Sequence, residues 1–166
     1  MALPRHDSLI AEQLYDRAVL SARAEAPGLQ QQSRLALEAA LAKAPGRARD
    51  WAFMAWLGER GIVPLPQATA AFRLAVLTEG FSPSLTTRLF ELGIRLWPVL
   101  NQQEQAAFRI LTLRQWAWQD GLTAEIAVKY RAGMLITDQM ADSPEMVAAF
   151  LHRYNFIMSL QQPSRR

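Results

Sequence analysis

The sequence predicts an all-α fold in which antiparallel helical hairpins stack as a short solenoid of about eight helices. Three observations carry this expectation. Apolar residues recur at helical period almost throughout, and no segment alternates as a half-buried strand would. Proline–glycine and cap–proline pairs interrupt that periodicity at short intervals. The same local pattern then returns after about 36 residues, as expected when one two-helix unit is repeated.

The elements follow from the punctuation. A first helix is expected over about 8–26, with Leu9, Ile10, Leu14, Val19 and Leu20 on a broad apolar face and Pro27-Gly28 as its stop. A second, about 29–44, presents Leu35, Leu37 and Leu41 and ends at Pro45-Gly46. A third spans about 48–60 with Trp51, Met54 and Leu57, before Gly61 and the Pro64-Leu65-Pro66 link. Further helices are expected over 67–79, 84–97, 102–119, 122–136 and 144–160. Ser82-Pro83 offers a capping hydroxyl before a proline suited to the first helical turn. Asn101 with Glu104 has the spacing of a capping box. Ser143-Pro144-Glu145 repeats the cap–proline arrangement and adds an acid where the helix dipole favours one. Short links between these helices imply antiparallel neighbours.

The repeat is specific between 48 and 119. Leu57-Gly58 recurs as Leu92-Gly93, each with an apolar residue three positions earlier, Met54 or Leu89. The following helices share Ala-Ala-Phe-Arg, at Ala70–Arg73 and Ala106–Arg109, and Ala148-Ala149-Phe150 is a weaker third copy. The glycine is expected to let the second helix of a hairpin cross at close range. An alanine opposite it should accept the contact, and the large residue one turn later (Leu74 or Ile110) should fill the space between hairpins. This order resembles the tetratricopeptide repeat. An ordinary helical bundle is the alternative, because the aromatic residue usual in the first helix and the tyrosine after Leu-Gly are missing.

A narrower likeness runs from Ala71 to Trp118. Arg88, Leu89, Leu92, Leu96, Trp97 and Pro98, before a helix ending in Ala117-Trp118, are similar to tetratricopeptide-like segments associated with bacterial cell-surface polysaccharide assembly. The resemblance implies a protein-interaction scaffold whose first helices line a concave groove. The whole chain, 1–166, is expected to be one helical-repeat domain, with 161–166 a flexible tail.

Composition narrows the chemistry. With 51% apolar and 20% charged residues the chain has the balance of a globular domain. No apolar run reaches the roughly 18–20 residues of a membrane span, and residues 1–10 lack the apolar stretch of a secretory signal, so a cytoplasmic location is expected. The absence of cysteine excludes disulfides, thiol catalysis and Cys-based zinc sites. The net charge is +3 and arginine dominates it, Lys43 and Lys129 being the only lysines. Beyond Arg47/Arg49 and Arg165/Arg166 the basic residues are scattered, which argues against a nucleic-acid surface.

No catalytic grouping stands out. His6 and His152 each lack a second histidine at metal-ligand spacing, and Glu12/Asp16 and Asp138/Asp142 read as solvated pairs. There is no phosphate-binding glycine loop, nucleophile elbow or HExxH. No cofactor, metal or catalytic residue is therefore expected. Candidate binding residues are tryptophans and arginines. Trp51 and Trp56 diverge by about 140° around a helix, as Trp116 and Trp118 do by about 200°, so one of each pair is expected to face solvent or a partner. Arg88 and Arg95, seven apart, share a face and could clamp a carboxylate or phosphate; a surface pairing of Arg95 with Glu91 competes with that reading. Arg88, Arg95, Trp97, Trp51 and Trp56 are thus the groove candidates, for a partner's peptide or helix. The other readings are a small helical enzyme or ligand-binding bundle, with a closed pocket lined by Trp51, Trp97 or Trp116 beside an acid of raised pKa, and a nucleic-acid-binding regulator. Self-association also fits, since a solenoid end exposes an apolar face.

Overall fold

The computed structural model describes residues 4–23, 27–80 and 82–161. Among them are nine α-helices, one short 3₁₀ turn and no strand. The helices are α1 (Pro4–Arg23), α2 (Pro27–Lys43), α3 (Ala48–Glu59), α4 (Leu65–Thr78), α5 (Pro83–Leu96), α6 (Gln102–Trp118), α7 (Asp120–Lys129), α8 (Gly133–Gln139) and α9 (Pro144–Gln161). Trp97–Val99 form the 3₁₀ turn, where Pro98 prevents α5 from continuing. The expected tail lies almost wholly outside the described residues.

Odd-numbered helices form one layer and even-numbered helices the other. In the first layer Tyr15 of α1 meets Phe53 of α3 with ring centroids 5.6 Å apart, and Arg95 of α5 donates to the Tyr130 hydroxyl just after α7 at 2.9 Å. In the second, Gln67 of α4 reaches Glu38 of α2 at 3.3 Å, and Arg73 of α4 reaches Gln103 of α6 at 2.7 Å. Helices α1 and α2, and α3 and α4, pack along their lengths as hairpins.

The Leu-Gly pairs mark where these layers close. A Cβ on Gly58 would lie 2.0 Å from the Cβ of Ala68, so only glycine permits that crossing of α3 and α4. A Cβ on Gly93 would lie 2.4 Å from the ring of Phe108 and 2.9 Å from that of Phe72. Both tetrad phenylalanines therefore converge on one glycine, and both are fully buried. The alanine expectation is corrected in phase. Ala70 and Ala106 are exposed, and the methyl opposite Gly58 belongs to Ala68, two residues earlier. Ile110 is likewise 48% exposed, and the neighbouring Leu111 is the residue that fills the core. In each tetrad the buried pair is the second alanine and the phenylalanine, Ala71–Phe72 and Ala107–Phe108.

The caps divide similarly. Asn101 accepts from the amides of Gln103 and Glu104 at 2.9 and 3.1 Å, and Glu104 accepts from the Asn101 amide at 2.8 Å, completing the box. The Ser143 hydroxyl accepts from the Met146 amide at 3.4 Å. Ser82 makes no side-chain cap; its backbone carbonyl accepts the Thr86 hydroxyl at 3.0 Å instead. Pro27 opens α2 rather than closing α1, as suits a residue without an amide proton to satisfy.

The expected helix over 122–136 is two helices. Arg131 adopts φ 54°, with its amide bonded to the Val128 carbonyl at 3.1 Å and the Ala132 amide to the Ala127 carbonyl at 2.8 Å. Gly61 (φ 73°) ends α3 with the same pair of bonds, to Gly58 and Leu57, each at 2.9 Å. Both ends are Schellman closures, one made by glycine and the other by arginine.

Candidate functional site

The first layer leaves an open groove of about 440 Å³ between α1, α3 and α5. Its floor and walls are apolar: Val19 from α1, Ala52, Phe53 and Trp56 from α3, Leu85, Leu89 and Leu92 from α5. Phe53 and Trp56, one turn apart, stack with centroids 5.3 Å apart and planes 17° from parallel, and Arg60 lies 4.9 Å over the Trp56 ring. Helical period places Leu85, Leu89 and Leu92 on one stripe of α5, and Arg88 and Arg95 fall on the same side.

The two ends of the groove differ in charge chemistry. At the end formed by the start of α3, Glu12 accepts from Arg47 and from Arg49 at 2.6 Å each, and the Arg49 guanidinium lies 4.0 Å over the Tyr15 ring. The hydrogen bond from Arg49 holds the Glu12 carboxyl below its usual range. Asp50 sits beneath this pair with a fully buried side chain, 3.4 Å from Arg47 Nε and 3.8 Å from Arg49 Nε. Neither of its oxygens has a hydrogen-bond partner. Burial pushes its pKa up to about 6, against the opposing pull of Arg47 and Arg49. This is the kind of acid that an enzyme reading requires, but two arginines surround it and it does not line the groove.

At the opposite end, Arg95 donates to both carboxylate oxygens of Glu59, through Nε and through Nη2, the latter at 3.1 Å. It also lies 3.6 Å from Glu91, whose other contacts are the Tyr130 hydroxyl at 3.1 Å and Lys129 at 3.4 Å. Arg95 is thus a tie across three hairpins, and the expected clamp with Arg88 loses one arm. The foreseen pairing with Glu91 is present, and it is the weaker part of the network. Arg88 is exposed and, among the described residues, has no carboxylate partner.

Of the five groove candidates, the fold brings Trp56, Arg88 and Arg95 together. Trp51 turns away, half-buried, and donates its indole N–H to the Pro45 carbonyl at 2.7 Å. Trp97 leaves the helix at the 3₁₀ turn and packs on Phe108 with centroids 5.5 Å apart. Trp116 is held against Phe150 at 5.9 Å, while Trp118 is 55% exposed. None of Trp51, Trp97 and Trp116 lines the groove.

Sequence reasoning did not single out Tyr15, Arg49 or Phe53 for the groove. The repeat itself carried the signal for α3. In the register of the Leu-Gly pairs, 35 residues apart, Phe53 and Trp56 stand in the places of Arg88 and Glu91, so the groove face of α5 maps onto α3. Among the described residues no three His, Asp or Glu side chains gather as a metal site, and no helix is long and apolar enough to cross a membrane. No protein-family model, curated protein or solved structure matches the chain.

Proposed function

We propose that the chain is a non-catalytic interaction scaffold whose groove holds a segment of a partner protein. The observation that carries this is the half-buried apolar surface of Val19, Phe53, Trp56 and Leu85, gathered from three hairpins onto one concave face. Aromatic side chains in such a position are common anchors at protein interfaces. Among the described residues the groove presents no histidine, and its one lining carboxylate, Glu91, is committed to Arg95, Lys129 and Tyr130, which favours recognition over acid–base chemistry. The likeness of Arg88–Pro98 to segments of bacterial polysaccharide assembly systems makes such a system, on its cytoplasmic side, the setting we favour.

A benzophenone amino acid at position 85, on the groove wall, should cross-link to a specific host protein at physiological salt. The same group at Leu77, exposed on the outer layer, should not. Equal adducts from both positions, or none from position 85, would refute the groove assignment.

A further inference from the structure

We infer that the groove selects an acidic amphipathic helix of a partner protein, seated with its carboxylates at the Arg88 end. The inference rests on the scaffold reading and adds the chemistry of the occupant. Half-buried Phe53 and Trp56 on α3 and Leu85 on α5 flank a floor of buried Leu89 and Leu92, on helices that run in the same direction. Ridges at this spacing receive the side chains of a further helix at one-turn intervals.

The polarity comes from the charges left over once internal pairs are removed. Arg49 is taken by Glu12 and stacks on Tyr15; Arg95 is taken by Glu59; Glu91 is taken by Arg95, Lys129 and Tyr130. Arg60 stacks on Trp56 and does not line the groove; among the described residues Arg88 is the lining cation left without a carboxylate partner, on the wall nearer the start of α5. The amino-terminal end of α5, which has no acid in its first turn, adds partial positive charge on the same side. A carboxylate there meets a guanidinium that needs no internal pair to be broken, whereas a basic segment meets an unpaired like charge. A single unpaired lining cation among the described residues, above an apolar floor, does not suit nucleic acid, which requires a row of them. It does suit a helix with acids at one end and apolar residues at one-turn spacing beyond.

The test uses the full chain and two fluorescein-labelled synthetic peptides. Both carry leucines at i, i+3, i+4 and i+7; one has three glutamates at one end, the other three lysines. Fluorescence anisotropy should show the glutamate peptide binding at least fivefold more tightly, with the difference shrinking at high salt. Arg88→Glu should reverse the order, and because Arg88 is exposed and has no carboxylate partner among the described residues its thermal melt should match that of the wild type. Equal affinities for the two peptides, no binding of either, or an unchanged preference in Arg88→Glu would each overturn the inference. Self-association that excludes both peptides would assign the groove to a second copy and overturn it as well. The scaffold reading survives any of these results if the position-85 cross-link forms and Trp56→Ala abolishes it.

Discussion

Replacing Gly58 with alanine tests whether the α3–α4 crossing governs stability. The new methyl would sit 2.0 Å from the Cβ of Ala68 and 3.3 Å from its Cα. Carbon atoms settle at about 3.5–4.0 Å, so the helices must part by roughly 1.5–2 Å. Both methyls are fixed to backbone, and no rotamer change relieves the overlap. A gap of that size forfeits much of the dispersion energy along the hairpin, an overpacking cost near 3 kcal/mol at the upper end of the usual range. Alanine's better helix propensity returns about 1 kcal/mol, leaving a net loss of about 2 kcal/mol. Ala68→Gly alone should cost about the same, from one buried methyl and one added helical glycine. The double variant moves the methyl from α4 to α3 and should fall within about 1 kcal/mol of the wild type. Urea unfolding followed by far-UV circular dichroism reads this directly. With a slope of about 2 kcal/mol/M, each single variant lowers the midpoint by about 1 M and the double variant nearly restores it. Additivity of the two changes to within about 0.5 kcal/mol would refute the close-crossing account.

Two further outcomes follow from the buried acid and the left-handed arginine. The folded-state pKa of Asp50 is raised from 3.8 to about 6, so the folded chain binds the extra proton and Asp50 increasingly opposes folding as pH rises from 4 to 6. Asp50→Asn should therefore be the more stable protein at pH 8, by about 1–3 kcal/mol, and the advantage should vanish by pH 4. A difference in urea midpoint that does not change between those pH values would contradict this. Arg131→Gly removes the cost of a side chain at φ 54° and should raise the melting temperature by about 2–4 °C, net of glycine's unfolded-state entropy. A lower melting temperature would show that the Arg131 side chain makes an offsetting contribution.

Local rules made the helices legible. Cap spacing located α6 and α9, and the recurring Leu-Gly pairs located the tight crossings. The break at Arg131 was hidden because its flanking residues are compatible with helix, and a tertiary contact fixes the geometry that follows. A Cβ on Gly133 would lie 2.8 Å from the Tyr154 ring, a contact made by a helix far along the chain. Arg88 and Arg95 could be placed on one face by counting, but their different fates could not. Glu59, which binds Arg95, lies 36 residues away, and sequence proximity favoured Glu91 instead. The tryptophans were hardest to place. A helical wheel gives a direction without naming the neighbour, so Trp51 was free to turn toward Pro45 and Trp97 to follow the 3₁₀ turn onto Phe108.

The Glu59–Arg95–Tyr130 tie has a mechanical consequence. It fastens α3, α5 and the end of α7 along one edge of the groove. Between α3 and α5 the other edge carries Arg49 and Arg88, two like charges with no bond between them. Side chains therefore rivet α3 to α5 at the Arg95 edge, whereas among the described residues no hydrogen bond or ion pair joins those two helices at the Arg88 edge, where Arg49 is tied to α1 instead.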